Sequence, residues 1–168
     1  MARKRQAVSL SKTIMTELVL PNHTNALGTA FGGVIVSWMD IAAAIAAQRF
    51  CGSSVVTASI DALHFLSPVK LGHVVNLVAQ VNYAGRTSME VGVRIDAENP
   101  ISGERTYTAK AYLTFVAIDE TGNAVTVPEA LVESDDEQRR YRQAEIRRKA
   151  RLELARELKQ AQREKRPA

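Results

Sequence analysis

Between Pro21 and Asp40 the chain reads PNHTNALGTAFGGVIVSWMD: a polar turn holding Asn25 and a glycine pair, Gly32 and Gly33, run into an apolar segment that carries Asp40. A carboxylate can take a proton from water or attack a carbonyl carbon itself, and a carboxamide can orient either partner. Two glycines leading into a helix leave bare N–H groups at its positive end, where an oxyanion forming on a carbonyl is stabilised. Of that pair, the Gly33 N–H is the better placed donor. Between Val34 and Ala47 only Ser37 and Asp40 are not hydrophobic. An unpaired carboxylate buried there would cost roughly several kcal/mol and be pushed toward its neutral form, so such a residue either caps something or does chemistry.

Periodicity alone leaves the bland alternatives open. VIVSW could be a strand, with Asp40 the N-cap of a shorter helix from Ile41 to Phe50. The glycine pair could be plain backbone freedom before a helix. Ser37, three residues before Asp40, shares its helical face and could fix the carboxylate or simply bond to its own helix.

The elements that must position these groups follow from the pattern of apolar residues. From about Gly33 to Phe50 the chain is alanine-rich and apolar nearly all round, as in a buried central helix, and Gly52 closes it. A first strand is expected over Ser9–Leu20. After the helix the period changes to two: Val75, Leu77, Ala79 and Val81 alternate with polar residues, then Met89, Val91, Val93 and Ile95 do the same. Tyr107–Ile118 and Val55–Phe65 add two more strands, for at least five in all. Asp61 and His64, three apart in the second of these, would face opposite sides and are read as structural. The fold class is α+β: a long antiparallel sheet wrapped around one hydrophobic helix.

A chain of 168 residues, 46% apolar and 24% charged, supports one core and ordinary globular composition. No apolar run is expected to reach the ~18 residues of a membrane span, and basic MARKRQ lacks the apolar segment of a signal peptide. A cytoplasmic location is expected. The single Cys51 excludes an internal disulfide and reads as a small filler. His23, His64 and His73 show no metal-ligand spacing with it, so no metal is expected.

The net charge of +4 is concentrated near the C-terminus. Residues 129–168 hold 12 Lys/Arg against 9 Asp/Glu, and residues 1–128 hold 10 against 9. The expected division is therefore a domain over 1–128 and a charged helical tail over 129–168. Pairs Asp135/Arg139, Asp136/Arg140 and Glu145/Lys149 favour helix. The narrow apolar stripe of Ile146, Ala150, Leu154 and Leu158 suggests a solvated helix lying loosely on the body or on a neighbouring subunit. Interleaved acids argue against nucleic acid or membrane as its partner.

The motif PNHTNALGTAFGG, followed by an apolar helix bearing Asp40, resembles the hotdog-fold acyl-CoA thioesterases of the acyl-CoA hydrolase type. HFLSPVKLGHVV, GRTSMEVGV and YLTFVAIDETGNAVTVP continue the likeness in order, over roughly residues 10 to 128. The departures are His23 and His73, where the family often has an acid. The resemblance implies hydrolysis of acyl-CoA to coenzyme A and a free fatty acid without cofactor. Asp40 is then general base or nucleophile, Asn25 orients water or thioester, and Gly32 and Gly33 hold the oxyanion. Arg86, Thr87 and Ser88, with Lys70 as a weaker candidate, meet the coenzyme A phosphates. It also implies a homodimer in which Asn and Asp reach one site from opposite subunits, commonly assembled into a hexamer. Two other readings compete: a non-catalytic hotdog acyl-CoA sensor with a nucleic-acid-binding tail, and a hotdog dehydratase, for which His23 is the only histidine near the site.

Overall fold

The apolar stretch after Phe31 forms a single helix, α1 (Gly32–Cys51), in the computed structural model, which describes residues 3–164. Gly52 ends it in the left-handed conformation (φ 67°), its N–H bonded to the Gln48 carbonyl at 2.8 Å. Asp40 lies in mid-helix, so the alternative in which it caps a shorter helix does not hold. Met39, Ala42, Ala43, Ala46 and Ala47 are fully buried, and four alanines let the helix approach the sheet closely. In length and apolarity α1 would also suit a bilayer span, contrary to the expectation that no run reaches that length; in this fold its small-residue face is packed on the sheet.

The chain opens with β1 (Arg5–Ala7) and β2 (Thr13–Leu18) and continues after α1 with β3 (Ser54–Ile60), β4 (Val74–Ala84), β5 (Ser88–Glu98), β6 (Arg105–Ile118) and β7 (Glu129–Leu131). Five of these form one antiparallel sheet in the order β2-β4-β5-β6-β3. Val75, Leu77, Ala79, Met89, Val91, Leu113 and Phe115 point from it into the same core as α1. β1 and β7 pair in parallel as a separate ribbon, which ties residues 129–131 to the N-terminus.

Two strands are shorter than the sequence suggests. Over Ser9–Leu20 the first residues belong to a 3-10 turn, Val8–Ser11. The buried Ser11 hydroxyl bends the chain there, donating to the Val8 carbonyl at 2.6 Å and accepting the Val81 N–H at 2.9 Å. Instead of running to Phe65, β3 stops at Ile60, so the expected opposite facing of Asp61 and His64 within a strand falls away. A register shift follows Thr57, and although the Asp61 N–H still bonds to the Tyr112 carbonyl at 2.9 Å, its carboxylate turns outward onto Arg151.

The tail is one long helix, α2 (Asp135–Glu164). Ser134 and Glu137 form a reciprocal cap: the Ser134 hydroxyl accepts the Glu137 N–H at 3.2 Å, and the Glu137 carboxylate takes the N–H groups of Glu133 and Ser134. Far from lying loosely, α2 is anchored across the outer face of the sheet. Glu90, 1% exposed near the start of β5, pairs with Arg147 at 2.6 Å and Arg151 at 3.3 Å, and Arg151 also reaches Asp61 at 2.7 Å. Gln80 receives α2 at its start through Glu137 and Arg140. Of the expected helix pairs the structure gives Asp136 with Arg140, while Asp136 also holds Arg139, and Lys149 pairs with Glu153.

Candidate active site

Asp40 and Thr57 meet at the centre of the candidate site. Asp40 projects from the middle of α1 toward β3, where the Thr57 hydroxyl donates to its Oδ1 at 2.7 Å. The carboxylate is half-buried, not sealed in the core, so no desolvation puzzle of the kind the sequence suggests arises. Among the described residues no hydrogen bond reaches Oδ2, which leaves that oxygen for a water or a carbonyl. Ser37, for which the sequence leaves open both a bond to the carboxylate and one to its own helix, is exposed and does not reach Asp40. Thr57 is the residue that sequence reasoning missed. The available signal was its place two residues after Val55, on the side of β3 that faces α1.

The other half of the motif forms a compact loop at the start of α1. The Asn25 Oδ1 accepts the Leu27 N–H at 2.9 Å and the Thr29 N–H at 3.3 Å, and its Nδ2 donates to the Thr29 hydroxyl at 3.0 Å. Gly28, at φ 71°, lets the loop turn back. One Nδ2 hydrogen of Asn25 is thus occupied and a second remains. The His23 carbonyl accepts the Phe31 N–H at 2.8 Å, and the His23 ring stands edge-on to Trp38, with Nδ1 accepting the Leu20 N–H at 3.2 Å.

Gly32 and Gly33 are the first two residues of α1, so their N–H groups have no partner within it. The space over Gly33 is open, whereas a β-carbon on Gly32 would lie 3.5 Å from the Phe65 ring. Beside them is a cavity of about 310 Å³ lined by Ala30, Gly32, Ile35, Phe65, Ser67 and Pro68. It is mostly apolar and joins the helix N-terminus, a shape suited to an acyl group whose carbonyl meets the free amides. Lys70 lies next to this loop through the Thr29–Lys70 bridge.

Arg86, Thr87 and Ser88 lie elsewhere. Arg86 and Thr87 lie in the turn between β4 and β5 and Ser88 opens β5, the turn being held by Val127 N–H to the Arg86 carbonyl at 2.9 Å and Ala117 N–H to the Thr87 carbonyl at 3.0 Å. Ser88 pairs with Val116 at one end of β6, while the Leu66 N–H near the glycine end bonds to Thr108, about 25 Å back along that strand. Within one chain the anion-binding candidates and the glycine pair therefore do not meet. Cys51, at the end of α1, points its thiol at the Ser53 carbonyl at 3.5 Å, and burial pushes its pKa up, as suits a filler.

With this geometry in hand, the likeness to known proteins is specific. Residues 27–104 match the model of the thioesterase superfamily. An uncharacterized acyl-CoA thioester hydrolase of Bacillus subtilis is 41% identical over 127 residues, which are 76% of this chain and 74% of that protein. The chain belongs to the thioesterase superfamily. It spans only 23% and 37% of two longer mammalian relatives. A hexameric acyl-CoA thioesterase superposes with a TM-score of 0.87 at 43% identity, over 90% of this chain and 97% of that one. The Staphylococcus aureus acyl-CoA hydrolase, solved with butyryl coenzyme A and coenzyme A, gives 0.86 at 39% identity, over 94% and 96%. Three variants of that enzyme, with an asparagine, an aspartate or a threonine changed to alanine, have also been solved. Their positions are 15 and 17 residues apart in sequence order, the spacing of Asn25, Asp40 and Thr57 here. The hotdog fold and the family resemblance are thus borne out.

Proposed function

We propose that this protein hydrolyses acyl-CoA thioesters to a free fatty acid and coenzyme A, in the cytoplasm and without a cofactor. The observation that carries the reading is the Asp40 carboxylate held by Thr57 on one oxygen and free on the other. In this reading the thioester carbonyl sits against the Gly33 N–H, with Gly32 beside it and the acyl chain in the adjoining cavity. Water attacks the carbonyl carbon as Asp40 takes its proton; the C–S bond then breaks and the coenzyme A sulfur receives a proton. Direct attack by Asp40 would give an acyl-enzyme anhydride that water later cleaves, and Thr57 holds the carboxylate equally well for either course.

Gly33 and Asp40 share a helical face but are seven residues, or about 10 Å of rise, apart. We infer that the helix end and Asn25 of one chain face Asp40 and Thr57 of another, in a homodimer that assembles further into a hexamer. Two features support this. Thr57 stands on an edge strand whose Val56 and Ile60 are 45% and 40% exposed, and a solved relative is a hexamer. A second chain would also bring Arg86, Thr87 and Ser88 toward the phosphates of a coenzyme A whose thioester lies at the glycine pair, with Lys70 near the same loop. Guanidinium, hydroxyl and ammonium donors suit that charge. The catalytic body is assigned to residues 1–128 and the tail to 129–168.

A panel of acyl-CoA thioesters of increasing chain length, with detection of the released thiol, tests the activity. Turnover of at least one chain-length class is expected. Tight acyl-CoA binding with no thiol release would instead make the protein a sensor and overturn the reading.

A further inference from the structure

The docked face of α2 repeats with alternating steps of three and four residues: Glu137, Arg140, Ala144, Arg147, Arg151, Leu154, Leu158. The first five are seated on the sheet. Glu137 and Arg140 meet Gln80 on β4, Ala144 is fully buried, Arg147 meets Glu90 on β5, and Arg151 spans Glu90 and Asp61, which follows β3. The helix thus crosses the outer face obliquely from β4 to the β3 edge. There the stripe turns from anchored to apolar, and Leu154 and Leu158 are 57% and 56% exposed. Beneath them α2 stands off the sheet over a groove of about 470 Å³, whose walls include Ser59, Ser88, Thr114 and Ala155. The Thr114 hydroxyl in its floor is buried without a partner.

We propose that the distal half of α2 is an intersubunit arm, and that the wedge between Leu154, Leu158 and the sheet is filled by a second copy of this chain. The groove opens at the edge of β3, the strand that carries Thr57 and that the dimer reading above already places at the subunit boundary. That strand, SVVTASI, has neither charge nor proline to discourage pairing, so the edge and the groove form one continuous uncovered surface. A two-fold contact needs a surface that complements itself, and the distal helix fits: Arg148, Lys149, Arg151, Arg156 and Lys159 are interleaved with Glu153 and Glu157. A uniformly basic helix would point to a lipid or polynucleotide surface; this one is mixed. The inference builds on the proposed dimer but not on the chemistry, because it is read by molar mass and not by thiol release.

The test pairs Leu154→Glu/Leu158→Glu with a control, Ile146→Glu, whose side chain is 69% exposed but off the docked stripe. Sedimentation of the full chain over a concentration series is expected to show the double variant shifted to smaller assemblies, with association weakened by at least about tenfold in concentration, roughly one lost apolar anchor. The control should keep the wild-type mass. Unfolding is separated from dissociation by helix content and by amide exchange of α1, which should not change. Wild-type mass in the double variant, an equal loss in the control, or capture of wild-type protein on anionic phospholipid vesicles that the double variant abolishes would each overturn the proposal.

Discussion

The two helices lie on opposite faces of one sheet and are held there by opposite chemistry. α1 is fixed mainly by shape: fully buried alanines and Met39 lie against Val, Leu and Phe side chains of the inner face, and its polar ties to the sheet are Asp40 on Thr57 and Arg49 on the Lys12 carbonyl and Thr13 hydroxyl. α2 is fixed by a few charged contacts, chiefly Arg147 and Arg151 on the buried Glu90, with Arg147 also stacked 3.4 Å over the Tyr112 ring. Even the glycine on that face serves it, since a β-carbon on Gly92 would stand 2.6 Å from the Asn82 amide nitrogen, which in turn bonds to Glu90. Dispersion spread over many atoms makes α1 an inseparable part of the core. Localised anchors make α2 an attachment that can loosen while the body stays folded.

This contrast can be broken from either side. Phe50→Ala removes a ring 2% exposed at the end of α1 and should cost about 3–5 kcal/mol of global stability, read as a drop in the denaturant midpoint with the whole protein unfolding together. Glu90→Gln leaves two arginines facing a neutral amide and should cost less, about 2–3 kcal/mol, because both guanidinium groups keep partial contact with water. Its signature is local: amide exchange should rise in α2 while α1 remains protected. Equal loss of protection in both helices would erase the distinction drawn here. Thr57→Val is near in shape and removes only the hydroxyl on Asp40. Stability should shift by less than about 1 kcal/mol, while turnover falls by about tenfold and acyl-CoA affinity is retained.

Much of the inner half of this comparison can be read from residues alone. The alanine-rich run from Gly33, the glycine stop at Gly52 and the two-residue alternation in β4 and β5 specify α1 and its sheet, because both periods express burial on one face. Register is less legible. Ser11 bends the chain through a hydrogen bond to Val81, 70 residues away, and the Asp61 carboxylate is claimed by an arginine 90 residues on. Thr57 was hidden for the same reason: a threonine in a strand is ordinary, and only the crossing of α1 over β3 brings it to Asp40. Glu90 was similarly silent, an acid on the alternate face of β5 that reads as solvated until α2 covers it. Local pattern determines which face is apolar; partners brought from afar determine what the polar residues do.

The central claim is that Asp40, oriented by Thr57, drives thioester hydrolysis. Asp40→Asn replaces the reacting oxygen with a near-isosteric amide that can still accept from Thr57, so packing should persist. Turnover, acyl-CoA affinity and melting temperature measured on one purified sample decide the matter. The account predicts at least ~100-fold slower thiol release with binding and melting temperature close to wild type. Near-normal turnover in this variant would contradict it.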